Sequence, residues 1–245
     1  MFPIVTVVII LLNVAVYFGL EKGGLSNVGN EKAVIEYSFI PYELSHPGQE
    51  CAQVGSKIPC ETKQALASEG ADTNQPSVYL TILTAMFMHG SLLHIAGNML
   101  FLWIFGNNIE DSMGRVKFIL FYLLGGVVAS LTQFAIGTDS AVPTLGASGA
   151  IAAVLGGYAL LYPRARVVTL IFIVFFITLV ELPALLVLGG WFALQLLDAS
   201  SQPLTGGGVA YFAHIGGFAF GLLAIKLFAS RYDASYDRHN RIPVY

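Results

Sequence analysis

Residues 146–162 read GASGAIAAVLGGYALLY, seventeen positions without one charge, and Pro163-Arg164-Ala165-Arg166 follows at once. A helix at the surface of a soluble protein keeps one face polar, whereas this stretch is apolar all the way round. With its flanks, 145–162, it approaches the roughly 20 residues that cross about 30 Å of hydrocarbon. Ser148 sits near its start, and Ala152 and Gly156, four and eight positions on, share the serine's face. Small residues in a stripe let membrane helices pack backbone to backbone.

Outward from this segment the same character recurs in apolar runs at 3–20, 80–106, 116–135, 167–198 and 209–229. The chain of 245 residues is 56% hydrophobic and 11% charged, against about 25% charged in soluble domains. That composition excludes an ordinary soluble enzyme and a disordered chain. With a net charge of −3 it also excludes a basic nucleic-acid binder. The expected architecture is an all-α membrane protein of six spans. The first span is 1–20, a long polar loop 21–79 follows, helices two to six occupy 80–229, and 230–245 form a tail. Met1–Leu20 has no basic leading region and no Ala-x-Ala site, so it reads as a retained span and not as a signal peptide. The fifth run is too long for one crossing, and Glu181-Leu182-Pro183 interrupts it. Proline suits the first turn of a helix, so the fifth helix is expected from about Pro183 to Asp198. For 167–182 the alternatives are a segment along the interface, a re-entrant segment, or an extension through a kink.

Basic residues orient the spans. Arg115, Lys117, Arg164, Arg166, Lys226, Arg231, Arg238 and Arg241 flank one side, and Lys22, Lys32, Lys57 and Lys63 lie in the 21–77 loop. The first side is therefore cytoplasmic, with both termini on it and the 21–77 loop outside, in a multi-pass protein of the cell membrane. Cys51 and Cys60 fall in that outer loop, where a small loop-closing disulfide is expected and two free thiols are the alternative. No further Cys or His stands beside them to make a zinc site.

Polar groups at depth in a bilayer are expensive and mark function. His94 and Asn98 in span two, Ser148 in span four and His214 in span six lie in the three spans that run the same way. At about 1.5 Å per residue, Ser148 and His214 sit roughly 5–8 Å below the outer boundary and His94 roughly 10 Å below it. Singly, each has a bland explanation, since a membrane serine commonly bonds its own backbone and a His or Asn commonly joins helices. At one shared depth they make a site. Gly217 and Gly221, three and seven positions after His214, make a second small-residue stripe, so spans four and six can bring hydroxyl and imidazole together. A serine hydroxyl becomes a nucleophile when a neighbouring base takes its proton, and neutral histidine is suited to that. No carboxylate lies at this depth in span four or six, so the economical reading is a Ser–His dyad. Attack on a carbonyl creates an oxyanion, for which His94, Asn98 and the Ser148 backbone amide are candidate donors.

At these residues the sequence resembles the rhomboid family of intramembrane serine proteases. Gly146-Ala147-Ser148-Gly149 is similar to the family's GxSG nucleophile motif, and His94-x-x-x-Asn98, with His89 upstream, resembles its second-helix signature. Ala213-His214-x-x-Gly217-x-x-x-Gly221 resembles its sixth-helix motif. Glu110-Asp111 and Gly114-Arg115 also resemble bacterial members, as does Gly190-Trp191-Phe192. The resemblance spans about residues 80–229. It implies Ser148 as nucleophile, His214 as general base, and His94, Asn98 and the Ser148 amide as oxyanion donors. Trp191 stands where members carry a bulky residue at a lateral gate, and His89 is a candidate support. The resemblance further implies substrates that are single-span membrane proteins in a lipid bilayer, cut without metal or cofactor. Ala152 departs from members that carry a tyrosine stacked on the histidine, and the 21–77 loop is longer and more polar than usual.

Other readings fit less well. A zinc protease wants His-Glu-x-x-His, which is absent, and His89 and His94, five apart, would point to different faces of a helix. Asp111, Asp139 and Asp198 lie near span ends, where an aspartyl protease would need two at depth. A transporter lacks an ionisable relay. The remaining alternative is a catalytically silent relative that binds and escorts membrane clients, and intact Ser148 and His214 argue against it.

Overall fold

The computed structural model describes residues 2–25, 29–173, 176–201 and 209–230. Helix α1 (Ile4–Gly19) opens the chain and is anchored through its first turn. The buried Glu110 carboxylate accepts the Val5 N–H at 3.0 Å, the Thr6 N–H at 2.8 Å and the Thr6 hydroxyl at 2.8 Å. Free N–H groups and a positive dipole end make a helix start a natural seat for a carboxylate. Glu110 belongs to α6 (Leu92–Met113), so this bond fixes α1 on α6.

Between them, the stretch expected as a loop is folded. It holds α2 (Glu31–Tyr37), α3 (Pro41–Ser45), strands β1 (Gln49–Cys51) and β2 (Cys60–Thr62), α4 (Lys63–Ser68) and α5 (Val78–Thr84). Asn30 and Thr62 cap α2 and α4 by accepting N–H groups of the first turn. The antiparallel β1–β2 ribbon is closed by a Cys51–Cys60 disulfide. Buried Glu43 accepts from the Cys51 N–H at 2.8 Å and from the Gln75 amide at 2.9 Å. The region docks on loop 137–147. Phe39 and Thr144 exchange backbone hydrogen bonds at 3.0 and 2.8 Å, the Tyr42 N–H reaches the Ser140 carbonyl, and the Ser45 hydroxyl reaches that of Thr138. Its hydrophobic residues Ile35, Ile40 and Cys51 form a small core of their own.

The second apolar run is split. A 3-10 turn at Ala85–Phe87 follows α5, and α6 begins only at Leu92, where the Ser91 hydroxyl caps it by accepting the His94 N–H at 3.2 Å. His94 thus stands in the first turn of α6, and His89 lies in the loop before it. Helix α6 passes directly into α7 (Arg115–Ile136) through Gly114, whose φ of 82° is the left-handed conformation that glycine adopts freely. Helices α8 (Ser148–Leu161), α9 (Ala184–Ser201) and α10 (Tyr211–Phe228) complete the bundle.

Between α8 and α9 the described residues form strands and not a helix extended through a kink. Strands β3 (Arg166–Ile173) and β4 (Phe176–Pro183) pair antiparallel, with Arg166 opposite Pro183 and Leu170 opposite Leu179. Their β-branched residues favour the extended chain. The expected all-α architecture is therefore corrected to a mostly helical one with two small ribbons. Among the described residues four helices, α6, α7, α9 and α10, are long and apolar enough to cross a membrane, while α1 and α8 are shorter apolar helices. Helix α8 is buried over nearly its whole length, packed by α6, α7, α9 and α10. A helix that meets protein on all sides need not match the bilayer thickness. The tail expected at 230–245 lies outside the described residues from Arg231 on, as do the basic residues Arg238 and Arg241.

Glu21, just beyond α1, is fully buried and accepts the His89 N–H through both carboxylate oxygens, at 3.1 and 3.0 Å. Burial pushes its carboxyl up to about 7, against the downward pull of that hydrogen bond. The folded chain therefore holds a proton that the unfolded chain has released above about pH 4.3. Stability from this group is present at low pH and falls as pH rises towards 7. In thermal unfolding in detergent, wild type should therefore lose Tm relative to Glu21→Gln as pH rises from 5 to 8, and the difference between the two slopes is what this carboxyl adds. Glu43, also raised by burial, contributes equally to both proteins. An unchanged slope in Glu21→Gln would contradict the assignment.

Candidate active site

The site is made where α8 and α10 touch. Their contact is the most extensive between helices in the described residues. A Cβ placed on Gly217 would lie 2.2 Å from the Gly149 carbonyl oxygen, and one on Gly221 would lie 2.0 Å from that of Ala153. The two stripes read in the sequence therefore face each other. Ala152 lies in the same seam, its Cβ 3.2 Å from where a Cβ on Gly217 would stand.

This approach puts Ser148, the first residue of α8, and His214, in the first turn of α10, at one level. Ser148 Oγ lies 2.7 Å from His214 Nε2. Both line a cavity of about 610 Å³, together with His94, Asn98, Phe101 and Trp191. The Trp191 ring stands 5.7 Å from the His214 ring. The wall facing the dyad comes from α6, and the loop before Ser148 closes another side.

In that loop Gly146 has φ 118°, a conformation that side chains disfavour, and a Cβ there would stand 2.9 Å from His94 Nε2. The glycine thus lets the His94 imidazole approach the turn that leads into Ser148. The Ser148 N–H is among the first four of α8, which have no partner within the helix. Asn98 is held from behind. Its Nδ2 lies 2.9 Å from His89 Nε2, while His89 Nδ1 lies 3.3 Å from the Phe87 carbonyl. A carbonyl oxygen only accepts, so Nδ1 carries the proton and Nε2 accepts from the Asn98 amide. One amide hydrogen remains for the cavity. Expected on a different face from His94, His89 in fact lies beside it, ring centroids 5.0 Å apart, because residue 89 precedes the helix.

Gln195 of α9 was not foreseen from the sequence. It is buried, with Oε1 2.6 Å from His214 Nδ1. The rule that singles out Asn98, an amide inside an apolar run, would have found it. Gln133, whose Oε1 accepts the Ala213 N–H at 3.3 Å, lines the cavity as well. Among the described residues no group of three or more His, Cys, Asp or Glu is placed to hold a metal ion.

A family model for the rhomboid domain matches residues 76–231. The chain belongs to the rhomboid family. Among similar rhomboid proteins, the mitochondrial presenilin-associated rhomboid-like protein of Mus musculus is 31% identical over 143 residues, 58% of this chain and 36% of that protein. Rhomboid protein 1, mitochondrial, of Saccharomyces cerevisiae is 30% identical over 151 residues, 59% of this chain and 40% of that protein. The rhomboid protease GluP of Bacillus subtilis is 34% identical over 108 residues, 44% of this chain and 20% of that protein. The chain thus matches well under half the length of these relatives. Two of the three carry mitochondrial names, so likeness does not assign this rhomboid to the cell membrane.

Proposed function

We propose that this rhomboid is a serine endopeptidase that cleaves transmembrane segments of other membrane proteins, with Ser148 as nucleophile and His214 as general base. The observation that carries the reading is the 2.7 Å contact between Ser148 Oγ and His214 Nε2 at the wall of a cavity. The imidazole takes the hydroxyl proton as Oγ attacks the scissile carbonyl carbon. Negative charge then collects on the former carbonyl oxygen, and His94, Asn98 and the Ser148 N–H are the donors on hand to hold it. Collapse expels the amine, which takes the proton from His214, and water hydrolyses the acyl-serine by the same route in reverse order.

An intact helix hides its carbonyls in its own hydrogen bonds, so a substrate segment must unwind to present one, and small or helix-breaking residues at the cut favour this. In our reading six helices cross the bilayer, with α1 and α8 as the short ones. The 21–77 region and the site share one end of the bundle, outside, and both termini are cytoplasmic. Docking of Phe39, Tyr42 and Ser45 on the loop before Ser148 supports that common side. Single-span proteins are the substrates, entering beside Trp191 on α9.

A fluorophosphonate probe tests the proposal on the purified chain. It should modify Ser148 stoichiometrically, and protein that stays unlabelled while folded would refute the nucleophile. His94→Ala and Asn98→Ala should each lower kcat on a single-span reporter by about 10²–10³-fold if they hold the oxyanion. A loss below threefold for both would remove them from that role.

A further inference from the structure

We infer that Gln195 is a positioning residue for His214, which makes the dyad dependent on α9; this rests on the proposed serine-protease reading. An amide oxygen can only accept, and Gln195 Oε1 lies 2.6 Å from His214 Nδ1. The contact therefore puts the imidazole proton on Nδ1. That leaves Nε2, 2.7 Å from Ser148 Oγ, with the lone pair that must accept the hydroxyl proton. Reversing the tautomer would present an N–H to the serine, and no proton could then move from Oγ. The acceptor thus selects the one form of a neutral histidine that can act as base.

Gln195 also limits how the ring can turn. Trp191 borders the imidazole at 5.7 Å but is tilted by 39° and offers Nδ1 no acceptor. Ser148 holds only the far nitrogen. With Gln195 on the near one, the ring is tied at both ends along the line of proton transfer. Burying an amide among apolar side chains is costly unless it is paired, so the pairing is favoured on its own account. Only 8% of Gln195 is exposed.

The supplier of this contact is unusual. Among the span-length helices of the described residues α9 is the least packed, with 17% of its apolar stretch buried inside the protein against 33–39% for the others. Its buried residues are Ala184, Leu188 and Gln195, a single stripe, and Gln195 is the polar member of it. When α9 is seated on α10 the base is aligned. Displacement of α9 withdraws the acceptor, so alignment of the dyad follows the position of this helix.

The test compares wild type with Gln195→Leu, nearly the same shape without an acceptor, and Gln195→Glu, which keeps one. Gln195→Leu should lower kcat on a single-span reporter about 10–100-fold with KM within about twofold. Gln195→Glu should recover most of that loss. A merely structural glutamine would be replaced by leucine with little effect on kcat, and glutamate would be the worse variant. Nitrogen NMR of histidine-labelled wild type, which needs no variant to fold, should show His214 protonated at Nδ1. Protonation at Nε2, or a Gln195→Leu enzyme with wild-type kcat, overturns the inference while probe labelling of Ser148 leaves the dyad standing. Failure of wild type to label would overturn both.

Discussion

Ser148→Ala should leave a protein that inserts, folds and unfolds at the wild-type temperature within about 2 °C, yet cleaves a single-span reporter at least about 10⁴-fold more slowly. Little of the fold depends on the hydroxyl. Ser148 is the first residue of α8, half-buried, and its Oγ has the His214 imidazole as its side-chain partner. Alanine is the better helix former, and the imidazole left behind keeps its contact with Gln195 and faces a cavity that water can enter. Rate, in contrast, should depend wholly on Oγ, because among the described residues no other hydroxyl is hydrogen-bonded to the His214 imidazole. His214→Ala should fall to the same floor, and the double variant no lower, since groups that act as one unit are not additive. Cleavage in proteoliposomes, with thermal unfolding alongside, reads both halves. Retained proteolysis by Ser148→Ala would end the serine mechanism. A collapsed unfolding temperature would mean that the hydroxyl is structural.

How much of this site was legible in the sequence depends on the type of constraint. Ser148, His214, His94 and Asn98 were readable because a polar group in an apolar run has few innocent explanations, and they do line one cavity. The small-residue stripes were readable because close approach admits only Gly and Ala. Hidden from view was whatever depends on where a helix begins. Gly90 and Ser91 end the extended stretch and cap α6 at Leu92, which moves His89 off the helix and puts it behind Asn98. An unbroken apolar run from 80 to 106 conceals that break, since hydropathy has no term for a cap.

The 167–182 ribbon was concealed for a related reason. Apolar runs rich in Val, Ile and Thr fit a strand or a helix equally by periodicity, and cross-strand pairing such as Leu170 with Leu179 is decided in space. The 21–77 region read as a loop because its apolar residues are scattered. The disulfide and the docking of Phe39 on Thr144 give it a compact shape that short-range pattern does not carry. This region bears on the site directly, since the loop it braces leads into Gly146 and Ser148.

Gly221→Val should lower proteolysis by at least about 10²-fold, although residue 221 lies two turns from the chemistry. A Cβ at 221 would stand 2.0 Å from the Ala153 carbonyl oxygen and 2.9 Å from the Gly157 nitrogen, and both are backbone atoms in the middle of a buried helix. No rotamer change relieves such a contact, so α10 must move away from α8 by about an ångström or more. At that displacement the 2.7 Å contact between Ser148 and His214 exceeds hydrogen-bonding range. A misplacement of about 1 Å alone costs on the order of 10²-fold in rate, and the overpacked seam adds roughly 1–3 kcal/mol of destabilisation. Gly189→Ala on α9 is the matched control. A Cβ there meets nothing within 4 Å, so activity should hold. Reporter cleavage, probe labelling and Tm measured on both variants separate the two cases. A Gly221→Val protein with wild-type cleavage would show that the α8–α10 seam does not set the distance between hydroxyl and imidazole.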